Sequence, residues 1–263
     1  MGKTKKKTKE KRRTKKRESS KIIDPPFLNV IHKGTMASKG SILYEYQDYS
    51  NIMDTLEIIV SENKKLERYV QLFRKDPNNA FLTIDLYSKK QRIFPEYISL
   101  KFFLKELKYY IDKKEKILIP IILNIRYKKK DNHANMILIN LNNMTLELFE
   151  PHGNRSSNSV IGDIEGGYKK KTFFVRDFFN KYFPELKIIN VNRSLSGRSF
   201  QVRYDPREHT GYCVTWCLLY THYRILNPTI SIDKLIRYMD QKIKKNLLLK
   251  YASYSEQLLK NKI

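Results

Sequence analysis

Cysteine is nearly missing from this chain: two thiols, Cys213 and Cys217, stand in 263 residues. Two cysteines cannot form the disulfide framework that props up small secreted domains. They point instead to a reducing compartment, where a thiol is kept for packing or for chemistry. Long apolar runs are missing too. No stretch approaches the roughly 18 residues that cross a bilayer, so neither an integral membrane protein nor a membrane partner is expected. The N-terminus lacks the apolar segment of a secretory signal. Lys6 stands where myristoylation of Gly2 would need Ser or Thr. Acidic residues are scarce, 27 against 52 Lys and Arg, which leaves a net charge of +25. Neither a Gly-x-Ser-x-Gly elbow nor a phosphate-binding loop is present, which argues against serine hydrolases and P-loop NTPases.

What remains is ample for a core: 41% of the residues are hydrophobic and 12% aromatic, too many for wholesale disorder. The charge suits a polyanionic partner, because each phosphate neutralised releases counterions. Lys, Asn, Ile and Tyr are abundant throughout, a composition shared with proteins of A+T-rich genomes, so only a concentrated block of charge is informative. Residues 1–21 are such a block, with 12 Lys/Arg against two Glu and no apolar residue beyond Met1. They are expected to form a disordered basic arm fitted to nuclear import or non-specific nucleic-acid contact. Residues 22–48, with Pro25-Pro26 and Gly/Ser punctuation, read as a loosely packed linker. Residues 49–263 read as one domain, divided into a helical part (49–115), a core (116–226) and C-terminal helices (227–263).

Apolar residues recur at helical spacing from Tyr49 to Arg74, and a further helix is expected after Pro95, with Ile98, Phe102, Leu104, Leu107 and Ile111 as its buried stripe. The texture changes at Lys116. The run 117–127 reads as a strand, and 133–141 and 144–153 as a hairpin about Asn142-Asn143. Residues 172–183 suit an aromatic helix, and 186–191 and 197–204 further strands. Gly211 to Ile225 suits a buried helix stopped at Asn227-Pro228, and a basic helical tail follows from Ser231. Helices first, then strands interrupted by one helix, then a cysteine-bearing helix give an α+β fold: a central mixed or antiparallel sheet flanked by helices.

A thiol attacks as its thiolate, and a helix N-terminus favours that form. Cys213 opens the apolar helix, whereas Cys217, one turn on beside Trp216, Leu218 and Leu219, reads as a structural thiol. A thiolate nucleophile also needs a histidine, and that histidine needs an acceptor to fix its ring. His133 begins a strand, at the sheet's edge. Glu150 follows seventeen positions later at the end of the return strand, so the hairpin can bring it back beside His133. His209, Cys213, Cys217 and His222 could alternatively share a structural zinc ion, but the apolar surroundings and the want of a positioning loop tell against any metal.

The pattern of His133, an acid seventeen residues on, then Gln201 and Cys213 opening a buried helix, resembles the SUMO-deconjugating and adenovirus-type cysteine proteases. The segments LFEPHG and GYCVTWCLLY look most like members carried by large cytoplasmic DNA viruses. The resemblance spans about residues 95–226. It departs at Ala134, where the family has an aromatic residue, at Tyr212 and Val214 around the cysteine, and in Gln201, twelve residues before Cys213 with YDPREHT between. It implies a papain-like, circularly permuted architecture and a cysteine-type peptidase. In it, Cys213 would be the nucleophile, His133 the base, Glu150 the orienting acid and Gln201 an oxyanion donor, with no cofactor. It further implies protein or polyprotein substrates, capsid or core precursors, and a place in the virion and host cytoplasm, with the nucleus a second address. An isopeptidase acting on ubiquitin-like tails is the enzyme alternative. An inactive, basic nucleic-acid-binding protein is the alternative of another class.

Overall fold

A computed structural model of the protein describes residues 21–26, 50–127, 132–151, 167–191, 200 and 212–260. Six strands form one mixed sheet: β1 (Phe81–Asp85), β2 (Arg92–Pro95), β3 (Leu118–Arg126), β4 (Asn132–Asn140), β5 (Thr145–Phe149) and β6 (Lys187–Asn190). Their spatial order is β2-β1-β3-β4-β5-β6. β3 and β4 hold the centre, and eight of the nine residues in each are buried. Strands covered on both faces read as continuous apolar runs rather than alternating ones, as LIPIILNIR does. Pro120 is tolerated inside β3 for a geometric reason. Ile122 turns its amide toward Ala80 on the β1 side (2.9 Å), and Pro120, two residues earlier, faces the same way. Pairing with β1 begins only at Phe81–Ile122, so the proline's missing N–H leaves the β1 ladder intact.

Seven described helices surround the sheet: α1 (Ser50–Ser61), α2 (Lys64–Glu67), α3 (Leu100–Lys113), α4 (Gly167–Tyr182), α5 (Cys213–Leu226), α6 (Ile232–Lys242) and α7 (Lys245–Lys260). α5 packs against β4, with α1 and α7 against it in turn. Every residue from Val214 to Ile225 is buried, as expected of a helix apolar on all sides. β5 and β6 run parallel, and α4 lies between them in the chain, the crossover that a parallel pair requires.

The expected α+β class is the observed one, but the order of elements differs. β1 and β2 lie between the first helices and α3, where no strand was expected. β1 is only five residues long and buried nearly throughout, and so short an apolar run carries no strand periodicity. Pro95 does not start α3; it ends β2 opposite Leu82. The helix begins five residues later at Leu100, behind Ser99, whose side chain accepts from the Phe102 amide. That shift rotates the stripe: Phe103, Leu107, Tyr110 and Ile111 are buried, while Phe102 is 64% exposed. α4 starts at Gly167, five residues before the expected position, and the C-terminal tail is two helices. The expected strand at 197–204 falls outside the described residues except for Phe200.

The described end of the expected linker is fastened to the body. The Ile23 amide donates to Asn227 Oδ1 (2.8 Å), and Asn227 Nδ2 donates to the Ile23 carbonyl (2.8 Å). Asp24 accepts from the hydroxyls of Tyr223 (3.0 Å) and Tyr238 (2.8 Å) and pairs with Lys242.

Candidate active site

Three chain ends meet at one place: the start of β4, the end of β5 and the N-terminus of α5. The β4–β5 hairpin turns through Leu141–Met144. Asn142 donates its amide to Asn140 Oδ1 (3.1 Å), and Met144 takes the left-handed conformation at φ 51°. The ladder then runs in register from Asn140–Thr145 to Met136–Phe149, which delivers Glu150 to the neighbourhood of His133. His133 Nε2 donates to Glu150 Oε1 at 2.5 Å. Both side chains are buried, His133 at 4% and Glu150 at 1% exposure. The expectation of a sheet-edge histidine therefore needs refinement: His133 lies at the end of a central strand and is walled in.

With Nε2 committed to Glu150, the other ring nitrogen is left for the Cys213 thiol, which hydrogen-bonds the imidazole. Cys213 is the first residue of α5 and is only partly buried. Tyr212, at the N-cap, makes no side-chain capping hydrogen bond, so its own side chain does not compete with the sulfur for the first-turn amides. The backbone amides of Val214 and Ala134 favour the charged form of the sulfur. Ala134 lies just beyond the last β4–β5 pair.

Electrostatics follow from these contacts. Burial alone would push the His133 imidazole down, but the Glu150 carboxylate and the Cys213 sulfur outweigh it and lift its pKa to about 9. Burial likewise pushes the Cys213 thiol up. The imidazole and the two amides overcome that and leave it below its ordinary value. The two shifts move in the directions that favour a thiolate–imidazolium pair at neutral pH. Cys217 behaves in the opposite way. Its burial is complete, and with the nearby sulfur and Glu150 it pushes the thiol well above its usual value, the behaviour expected of a structural thiol.

The sequence reading missed one residue here. Lys171 of α4 is fully buried, pairs with Glu150 Oε2 and donates to Asn135 Oδ1 (3.1 Å). Burial holds its ammonium below the usual lysine value, against the pull of Glu150. Gln201 lies outside the described residues. Its neighbour Phe200 is buried against Trp216 (ring centroids 4.7 Å) and Phe149 (5.9 Å). Of the four residues weighed for zinc, His209 is outside the described residues. Cys213 faces His133, and His222 shares a hydrogen bond with Tyr251 (3.2 Å) while burial holds its pKa near 3. Among the described residues, no group of three or more His, Cys, Asp or Glu could hold a metal ion.

No family model matches the chain, nor does any curated protein. Several solved structures do. The chain is similar to the ASFV pS273R protease, at 16% identity over 84% of this chain and 68% of that one, with a TM-score of 0.45. It is similar to ChlaDub1 from Chlamydia trachomatis, at 12% identity over 87% and 96% of the two chains, TM-score 0.43. It is also similar to the Chlamydia trachomatis effector protein Cdu1 bound to ubiquitin, at 10% identity over 81% and 75%, TM-score 0.33.

Proposed function

We propose that the protein is a cysteine-type peptidase with Cys213 as nucleophile, His133 as acid and base, and Glu150 as the group that orients and charges the imidazole. The observation that carries this reading is the convergence of a helix-opening thiol, a buried imidazole and a buried carboxylate, with Glu150 Oε1 2.5 Å from His133 Nε2. The thiolate attacks a peptide carbonyl, forming the C–S bond and moving charge to the oxygen. As the C–N bond breaks, the His133 imidazolium gives its proton to the leaving amine. Water then attacks the thioester while His133 takes its proton, and the thiolate is expelled. Charge on the carbonyl oxygen is met by the backbone amides at the start of α5. We assign Gln201 to the same task, because Phe200 beside it is anchored on Trp216 of the same helix. The substrates in this reading are proteins cleaved at glycine-containing sites, capsid or core precursors packaged with the enzyme in a virion, and the basic residues 1–21 supply a nucleic-acid contact.

The test is hydrolysis by the purified chain of fluorogenic peptides with glycine before the scissile bond, beside ubiquitin-like tails carrying the same reporter. Cleavage that Cys213→Ala abolishes is the expected result. Preference for the tails would move the assignment to an isopeptidase. No cleavage, with equally slow iodoacetamide labelling of Cys213 and Cys217, would overturn it.

A further inference from the structure

A fully buried lysine is costly unless its charge is used. Replacing a buried ion pair with apolar residues of similar volume is often neutral or stabilising, so packing does not account for one. Lys171 sits where the cost buys position. It reaches Glu150 through Oε2, while His133 holds Oε1 of the same carboxylate. Asn135, two residues from His133 on β4, accepts a second hydrogen bond from the ammonium (3.1 Å). Among the described residues, the titratable groups that act on Lys171 include Glu150 and Cys217 on α5, and those that act on His133 include Glu150 and Cys213.

We infer that Lys171 is a positioning residue of this site: it fixes the second oxygen of Glu150 and balances its charge, so that the partly buried sulfur and the buried imidazole, carboxylate and ammonium form one row of alternating sign. The inference rests on the proposed peptidase reading. Thiolate and carboxylate together outnumber the single imidazolium; the ammonium makes the row neutral. Without it, the uncompensated carboxylate would hold the His133 proton more tightly and disfavour the Cys213 thiolate. Both ionisations would then move to higher pH.

The experiment is the rate of iodoacetamide labelling at Cys213 against pH, read by mass spectrometry on the full chain. It needs no substrate. Lys171→Met should carry both limbs of the profile upward by about one pH unit, which slows labelling about tenfold on the acid side. Lys171→Arg, which keeps the charge, should leave the limbs nearly in place. Should Lys171→Met fail to fold, the comparison of Glu150→Gln with Glu150→Gln/Lys171→Met asks the same question without a lone buried carboxylate, and the double variant should again show the higher limbs. Folded variants whose limbs ignore the Lys171 charge would overturn the inference while leaving the peptidase reading intact. Loss of the fold in every variant, Lys171→Arg included, would make Lys171 a folding element and overturn it too. Slow, flat labelling of the unaltered chain would instead count against the peptidase reading.

Discussion

Two buried glutamates three residues apart, Glu147 within β5 and Glu150 just past its end, live under different rules. Glu147 is held by α5 alone. Arg224 donates to both its oxygens, from Nε to Oε2 (2.8 Å) and from a terminal nitrogen to Oε1 (2.7 Å), and Tyr220 adds a third bond at 2.5 Å. The same guanidinium donates to the carbonyls of Asn227 (3.0 Å) and Ile230 (2.9 Å). A guanidinium keeps its charge at any pH the fold survives, so this cluster is a permanent rivet. Glu150 is equally buried, yet its partners, an imidazole and an ammonium, both titrate. Partners, not burial, decide whether a carboxylate fastens the fold or tunes chemistry.

The sharpest way to test that contrast is Glu150→Gln. It should lower kcat/KM by about 10²–10⁴-fold, since the imidazole loses both its orientation and its charge partner. The sign of its pH effect follows from the lifted His133. With the His133 pKa lifted to about 9, the native alkaline limb should fall near pH 9, and removing the negative charge should bring it down. A limb that stays near 9 would break the contrast. Next in size, Arg224→Met should strand Glu147 and cost about 3–5 kcal/mol of stability in denaturant titration, while folded protein keeps the native pH profile. Smallest for catalysis is deletion of residues 1–21. Peptide cleavage should be nearly unchanged, while nucleic-acid binding loses salt dependence of about 0.9 log units per phosphate contact for each tenfold rise in salt on duplex DNA. Loss of cleavage without nucleic acid present would tie those residues to the site.

The His133–Glu150 pair was legible because a hairpin is arithmetic: two strands and a short turn bring residue 150 back to residue 133. Cys213 was legible because helix starts announce themselves when the following residues are all apolar. Lys171 was not. It is the last of three consecutive lysines, Lys169 to Lys171, and nothing in such a run says which one turns inward. That depends on the phase of α4, whose start lay five residues before the expected one. β1 and β2 were hidden for a related reason: a short strand buried on both faces loses the alternation by which strands are recognised. The stripe of α3 slipped because Pro95 signals a helix start and a strand end equally well, and tertiary pairing chose the latter.

α5 also works as a ruler. Its first residue carries the sulfur, and just past its last, Asn227 grips the backbone of Ile23. At 1.5 Å per residue those points are about 20 Å apart. Ile23 is therefore moored well away from the sulfur, at the opposite end of the central helix.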